Sequence, residues 1–162
     1  MTGRTSAGLL LYRRTDDGVE VLLGHMGGPF WARKHERAWS VPKGEPDPGE
    51  EDLHAVAERE FTEELGSPPP RADVADLDLG SVRQSGGKVV RVWAREGAFD
   101  ESSVRSNLVE VEWPPRSGRT LSVPEVDRAA WFGPDEARTV VVAAQSAFVD
   151  RLVQMLDDAD GA

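Results

Sequence analysis

The sequence predicts an α/β fold, a mixed sheet with helices packed on both of its faces. Three observations carry this. Short apolar runs of strand length stand both before and after one strongly patterned helix over residues 52–65. A second amphipathic segment follows near the C-terminus. No internal repeat and no long linker divides the 162 residues, so strands and helices are expected in a single domain over 1–162.

Taken in order, Ser6 to Arg13 is apolar almost throughout and is expected as a strand buried on both faces. Asp16-Asp17-Gly18 is a hairpin turn and Val19 to His25 the returning strand. Gly27 to Trp31 is a loop, and Trp39 to Pro42 is a short extended segment. The central helix runs from about Asp52 to Leu65; Gly66 stops it, and Pro68-Pro69-Pro70 bars its continuation. Asp78 to Gln84 and Lys88 to Arg95 read as strands joined by Ser85-Gly86-Gly87. Asn107 to Trp113 reads as a strand, followed by a loop from Pro114 to Arg119. Ala129 to Phe132 is a final short strand. Asp135 to Arg138 begins a helical region after Pro134. Gln145 to Leu156 has helical spacing, with Phe148, Leu152 and either Met155 or Leu156 on one face. The last few acidic residues are expected to fray.

Composition excludes several classes of function. A net charge of −10 argues against a duplex nucleic-acid partner, which needs a basic surface. It does not argue against a nucleotide enzyme, because a bound cation supplies positive charge locally. The absence of cysteine removes disulfides, thiol nucleophiles and Cys-ligated zinc. His25, His35 and His54 lack metal-binding spacing, and each is expected at a surface or loop position. The longest apolar stretch, Ala7 to Tyr12, is far too short to cross a membrane, and the N-terminus lacks the layout of a signal peptide. A cytoplasmic location with no membrane partner is the expectation.

The chemistry concentrates in 23 residues, Gly44 to Gly66, GEPDPGEEDLHAVAEREFTEELG. Glu60, Glu63 and Glu64 stand at i, i+3 and i+4, which puts three carboxylates on one helical face. Leu53, Val56 and Ala57 lie on the same face one or two turns earlier. A face that is apolar in its first half points toward the fold, so the carboxylates are expected over a cleft. Three like charges this close repel, and a divalent cation relieves the repulsion. Oxygen-only ligands favour Mg²⁺ or Mn²⁺ over zinc. Arg59 is four residues before Glu63 and can pair with it, steadying a ligand carboxylate. A plain solvated acidic helix would leave the Pro42-Lys43-Gly44 turn, the Arg directly before the first Glu and the Gly after the helix unexplained.

Gly44, Arg59, Glu60, Phe61, Glu63, Glu64 and Gly66 together resemble the box of the Nudix family. That box reads Gly, five residues, Glu, seven residues, Arg-Glu, an apolar residue, any residue, Glu-Glu, any residue, Gly. One residue is inserted here, in the loop. Glu50 is correctly spaced from Gly44, and Glu51 is correctly spaced from Arg59, so either can fill the box's first Glu. Ser67 departs from the aliphatic residue usual at the end. The segments Gly-Gly-Pro-Phe-Trp, Trp-Ser-Val-Pro-Lys-Gly-Glu and Trp-Pro-Pro-Arg-Ser-Gly resemble a bacterial subfamily of predicted NTP pyrophosphohydrolases.

The resemblance implies a Nudix-type α/β/α sandwich and a MutT-like, metal-dependent pyrophosphohydrolase. Its substrate would be a nucleoside tri- or polyphosphate, or another nucleoside-diphosphate-linked compound. Mg²⁺ or Mn²⁺ would be held by Glu60, Glu63 and Glu64 with a backbone carbonyl of the Gly44 region. Glu63, Glu64 and Arg59 would serve catalysis. The general base would come from the box or from a later segment, where Glu112, Glu110 and Glu125 are candidates. Lys43, Arg83, Lys88, Arg91, Arg116 and Arg119 are the candidate phosphate contacts, and Phe30 and Trp31 serve either as a wall for the base or as simple packing. Arg116 and Arg119 can equally be solvated charges on an exposed loop. A small-molecule nucleotide is the implied partner, and a homodimer is left open. The alternative is a catalytically silent nucleotide-binding regulatory module. Such modules commonly lose box carboxylates, and all three are present here. A structural metal-binding domain gives no reason for Lys43 and its turn.

Overall fold

A computed structural model describes residues 4–161 of the chain. Its centre is a seven-stranded mixed sheet. Strand β1 (Thr5–Thr15) and strand β2 (Gly18–Met26) form the expected antiparallel hairpin, from Tyr12↔Val21 to Thr15↔Gly18. The other edge of β1 runs parallel to β6 (Val89–Glu96), which pairs in turn with β5 (Leu77–Arg83). Two short strands complete the middle: β3 (Trp39–Ser40) on β2, and β4 (Lys43–Gly44) on β1. β9 (Val126–Phe132) pairs with the outer edge of β2.

β1 is buried on both faces, as its apolar run predicts. Leu10 and Tyr12 belong to one core and Ala7, Leu9 and Leu11 to the other, the alternation that a pleated strand imposes. Helix α1 (Leu53–Leu65) covers the second core with Val56, Ala57, Phe61 and Leu65. Helices α2 (Pro134–Val140) and α3 (Ser146–Asp160) cover the first with Ala137, Val140, Phe148, Val149, Leu152 and Leu156. The mixed sheet between helices on both faces is therefore the observed architecture. Leu156 faces the core while Met155 stays exposed, which settles that alternative.

Three local expectations change. β7 (Leu108–Glu112) does not join the main sheet; it pairs with an unforeseen strand, β8 (Thr120–Pro124), as a separate two-stranded ribbon. β9 begins three residues before the expected strand. The acidic C-terminal residues continue α3 to Asp160, whose carboxylate accepts a hydrogen bond from Arg14 Nη1 at 3.0 Å. Helix α1 starts as the sequence indicates: the Asp52 side chain accepts from the backbone N–H groups of His54 and Ala55, and Gly66 ends it in the left-handed conformation, φ 83°.

Histidines depart from expectation too. His25 lies on β2 and is fully buried, with Nε2 donating to the Lys34 carbonyl at 2.8 Å and Nδ1 2.9 Å from the Asp127 carboxylate. His54 sits in the first turn of α1, stacked on Trp93, with Nε2 2.6 Å from Asp76. Only His35 is an exposed loop residue as expected. Among the described residues no helix is long and apolar enough to cross a membrane.

Candidate active site

The second half of α1 carries the site. Glu60 and Glu64 are buried at 9% and 5% exposure, whereas Glu63 stands at the rim. Their neighbour is β4. A Cβ on Gly44 would lie 2.1 Å from the Glu60 carboxyl carbon, so only glycine lets that carboxylate lie against the β4 backbone. The Lys43 N–H donates to Glu64 Oε1 at 3.3 Å. The box glycine and the box carboxylates are thus brought together across α1 and β4.

Arg59 organises the carboxylates from the side. Its Nη1 donates to Glu60 Oε1 at 3.0 Å and to Glu63 Oε1 at 2.9 Å. Its Nε and Nη2 make a two-pronged contact with Glu50, at 2.9 and 2.7 Å, and Nη2 also reaches the Glu45 carbonyl at 3.2 Å. Glu50 rather than Glu51 therefore meets the arginine, and the inserted residue is absorbed in the loop. Glu51 is exposed. Glu50 Oε1 also accepts from the Asp47 N–H at 2.7 Å, closing that loop on itself.

Electrostatics mark Glu64. Burial first, and the charge of Glu125 second, push its carboxyl up to about 8, against the opposing pull of Lys43. Glu60 is raised as well, chiefly by burial, with Arg59 pulling it back. Glu125 comes from the corner between β8 and β9. Gly27 lets that corner approach: its N–H donates to the Glu125 carbonyl at 3.0 Å, and a Cβ there would stand 1.9 Å from the Pro124 carbonyl oxygen. Lys43, Glu64, Glu125, Trp31 and Ser40 line one cavity of about 190 Å³. An adjoining cavity of about 230 Å³ shares Lys43 and Glu125 and adds Gly44, Glu45, Gln84 and Lys88.

The remaining sequence candidates divide. Trp31 and Lys88 line these cavities. Arg83 is exposed on β5, away from their linings, and Arg116 and Arg119 are exposed in the β7–β8 turn. Glu110 is exposed on β7. Glu112 is not brought to the carboxylates of α1; its Oε1 accepts from the Arg116 N–H at 2.7 Å. Of the later acidic candidates, Glu125 is the one that faces Glu64. Sequence reasoning did not find Gln145, a fully buried side chain beneath the site. Its carbonyl oxygen accepts from the Val41 N–H at 2.9 Å, and its amide donates to Ser40 and to Gln84 at 3.1 and 2.9 Å. It ties the segment before Lys43 to the turn that carries Lys88. Nothing local distinguishes such a glutamine from a solvated one at a helix start.

The donor set fits a hard divalent cation. It consists of carboxylate oxygens, and negative charge is in local excess around Glu64. Among the described residues no three acidic or histidine side chains already form a closed cage; Arg59 spans Glu60 and Glu63 instead.

A family model, the NUDIX domain, matches residues 2–152. The chain belongs to the Nudix family. Nudix hydrolases generally use divalent metals. This Nudix chain is 33% identical over 95 residues to the mitochondrial coenzyme A diphosphatase NUDT8 of Mus musculus, a match that takes in 59% of the chain and 45% of that relative. The chain thus spans under half the length of that relative. Its fold is similar to a Caenorhabditis elegans Ap4A hydrolase binary complex, with a TM-score of 0.65 and 21% identity over 96% of this chain and 98% of that one. It is also similar to the NUDIX domain of Shewanella oneidensis NrtR complexed with ADP ribose, with a TM-score of 0.62 and 15% identity over 96% and 90% of the two chains. At these identities the two structures bear on the fold.

Proposed function

We propose that this chain hydrolyses a diphosphate bond in a nucleoside tri- or polyphosphate, or in another nucleoside-diphosphate-linked substrate, with Mg²⁺ or Mn²⁺ held by Glu60, Glu63 and Glu64 beside Gly44. The observation that carries this is the facing of Glu64 and Glu125 across a cavity that also holds Lys43, with the Glu60 carboxylate packed against Gly44 beside it. A bound divalent ion would neutralise phosphate charge and make a water molecule acidic.

The chain's own residues supply the rest. Arg59 keeps the Glu60 and Glu63 carboxylates at a set spacing and is itself held by Glu50. Lys43 and Lys88 line the adjoining cavity and would supply positive charge to the leaving phosphate. Glu125 offers a proton-accepting oxygen on the side opposite α1 and is the preferred general base over Glu112.

The test is product release from a panel of nucleoside triphosphates, dinucleoside polyphosphates, ADP-ribose, nucleotide sugars and coenzyme A with Mg²⁺ or Mn²⁺. Turnover of one class, abolished by Glu64→Gln, is the expected result. Glu125→Gln should lower kcat about 10²–10⁴-fold and Glu112→Gln far less. No turnover of any compound, with nucleotide binding retained, would replace the hydrolase by a regulatory nucleotide-binding module.

A further inference from the structure

The two cavities just described join a third, and the chemistry changes along the row. At one end Lys43 and Lys88 share a hydrophilic pocket with Glu45 and Glu125. The centre holds Glu64 and Glu125. The third cavity shares Gly27 and Trp31 with the centre and adds Phe30, Trp113, Pro115 and Glu112. Its volume of about 190 Å³ falls short of the roughly 300–1,000 Å³ that encloses a whole small-molecule ligand. It suits one ring system that continues into the central cavity.

The walls are aromatic. Phe30 and Trp31 follow β2, with ring centroids 4.7 Å apart and planes nearly perpendicular. Phe30 is 53% exposed, with the Lys34 ammonium 3.4 Å over one face of its ring. Trp113 and Pro115 enter from the β7–β8 turn opposite. Glu112 is the one carboxylate lining the slot. Its Oε1 is engaged by the Arg116 N–H, and its Oε2 has no hydrogen bond among the described residues. An ionised carboxylate only accepts, so Glu112 favours an edge that presents N–H groups. Guanine offers two adjacent N–H donors on its pairing edge. Uracil offers one between two carbonyl oxygens, which a carboxylate repels.

We infer that the slot between Phe30–Trp31 and Trp113 seats the nucleobase of the substrate, and that Glu112 is a specificity residue selecting guanine over uracil. This rests on the nucleotide-hydrolase reading above. It places the base at the aromatic end and the phosphate chain toward the two lysines.

The experiment is equilibrium binding of GMP, UMP and base-free tripolyphosphate to the full chain with Mg²⁺, followed by tryptophan fluorescence. Turnover of GTP is measured in parallel. Glu112→Gln retains an acceptor oxygen for the Arg116 N–H but presents an amide donor to the slot. The wild type should bind GMP about 10-fold or more tighter than UMP, and Glu112→Gln should bring the two within about 3-fold. Phe30→Ala should weaken GMP about 5- to 10-fold and leave tripolyphosphate within about 2-fold. Equal GMP and UMP affinities in the wild type, or parallel losses of GMP and tripolyphosphate in Phe30→Ala, would overturn the assignment. Selective GMP binding with no turnover of GTP or of any other compound in the panel would sink the hydrolase and leave the slot standing. Turnover of GTP that neither variant alters would do the reverse.

Discussion

Arg59 and Glu64 set the character of the site by opposite means, one by collecting charge and the other by being denied it. Arg59 is held in five hydrogen bonds, and its contact with Glu50 fixes the fork that spaces Glu60 and Glu63. Removing Glu50 should therefore act on carboxylates it never touches. Glu50→Ala is expected to lower activity or metal affinity about 10- to 100-fold, while Glu51→Ala stays within about 2-fold; metal-activation curves of the two variants check this, and equal effects would refute it. Glu64 is buried with too little positive charge nearby, and its folded value of about 8 lies above the ordinary 4.5. The fold therefore favours the neutral form. Without divalent cation, stability is greatest below about pH 4.5 as far as this group is concerned, and is lost as pH rises toward 8. Glu64→Gln stays neutral throughout. In a chelator it should exceed the wild type at about pH 9 by ~1 kcal/mol or more, ~2–4 °C in Tm, and match it at about pH 5. Calorimetry at the two pH values measures this, and a less stable variant at the higher pH would contradict the burial argument.

At the scale of elements, α1 was legible because its signals are local: an Asp cap, an apolar half-face, a glycine stop. The ribbon was legible only in its first strand. β7 alternates between exposed and half-buried residues and reads as a strand, whereas β8 exposes Thr120, Leu121 and Ser122 in succession and shows no periodicity. Glu125 was hard to choose among the later glutamates for the same reason. Its position depends on the ribbon returning into β9 and on Gly27 admitting that corner, both long-range facts. Another long-range tie docks α1 on the sheet. Arg95 on β6 donates to both Asp76 oxygens at 2.8 Å, and Asp76 meets His54 at the start of α1. Burial raises the Asp76 carboxyl, but the hydrogen bonds of Arg95 and His54 outweigh it and hold the group below its ordinary value. Its stabilisation is present above about pH 4 and is lost as acid protonates it. Asp76→Asn leaves a buried guanidinium poorly paired and should cost about 3 kcal/mol, the lower end of such losses because Glu58 remains nearby. Denaturant melts at neutral pH check the loss, and the variant should show a flatter decline below about pH 4. A neutral effect at both pH values would mean that the pair is not what holds α1.

For the whole molecule, the charge of −10 sets the long-range field, while Lys43 and Lys88 supply the positive charge inside the trough formed by the joined cavities. The two reach different distances. At about 10 mM salt the screening length is roughly 30 Å, longer than the molecule's radius, and an approaching polyphosphate feels the net negative charge. At about 150 mM it falls to roughly 8 Å, and only the trough acts. Raising salt over this range, with free Mg²⁺ held constant, should therefore increase kcat/KM for the hydrolysed nucleotide by roughly twofold or more, through faster encounter. A nucleic-acid binder behaves in the opposite way, losing affinity steeply through released counterions. The measurement is kcat/KM against ionic strength under subsaturating substrate, beside retention of labelled duplex DNA at low salt. Rising kcat/KM with no DNA retention fits an acidic molecule whose phosphate contacts are confined to two lysines in the site. A steep fall in kcat/KM would mean that local cations, not net charge, govern capture, and would point to exposed arginines outside the trough, such as Arg116 and Arg119.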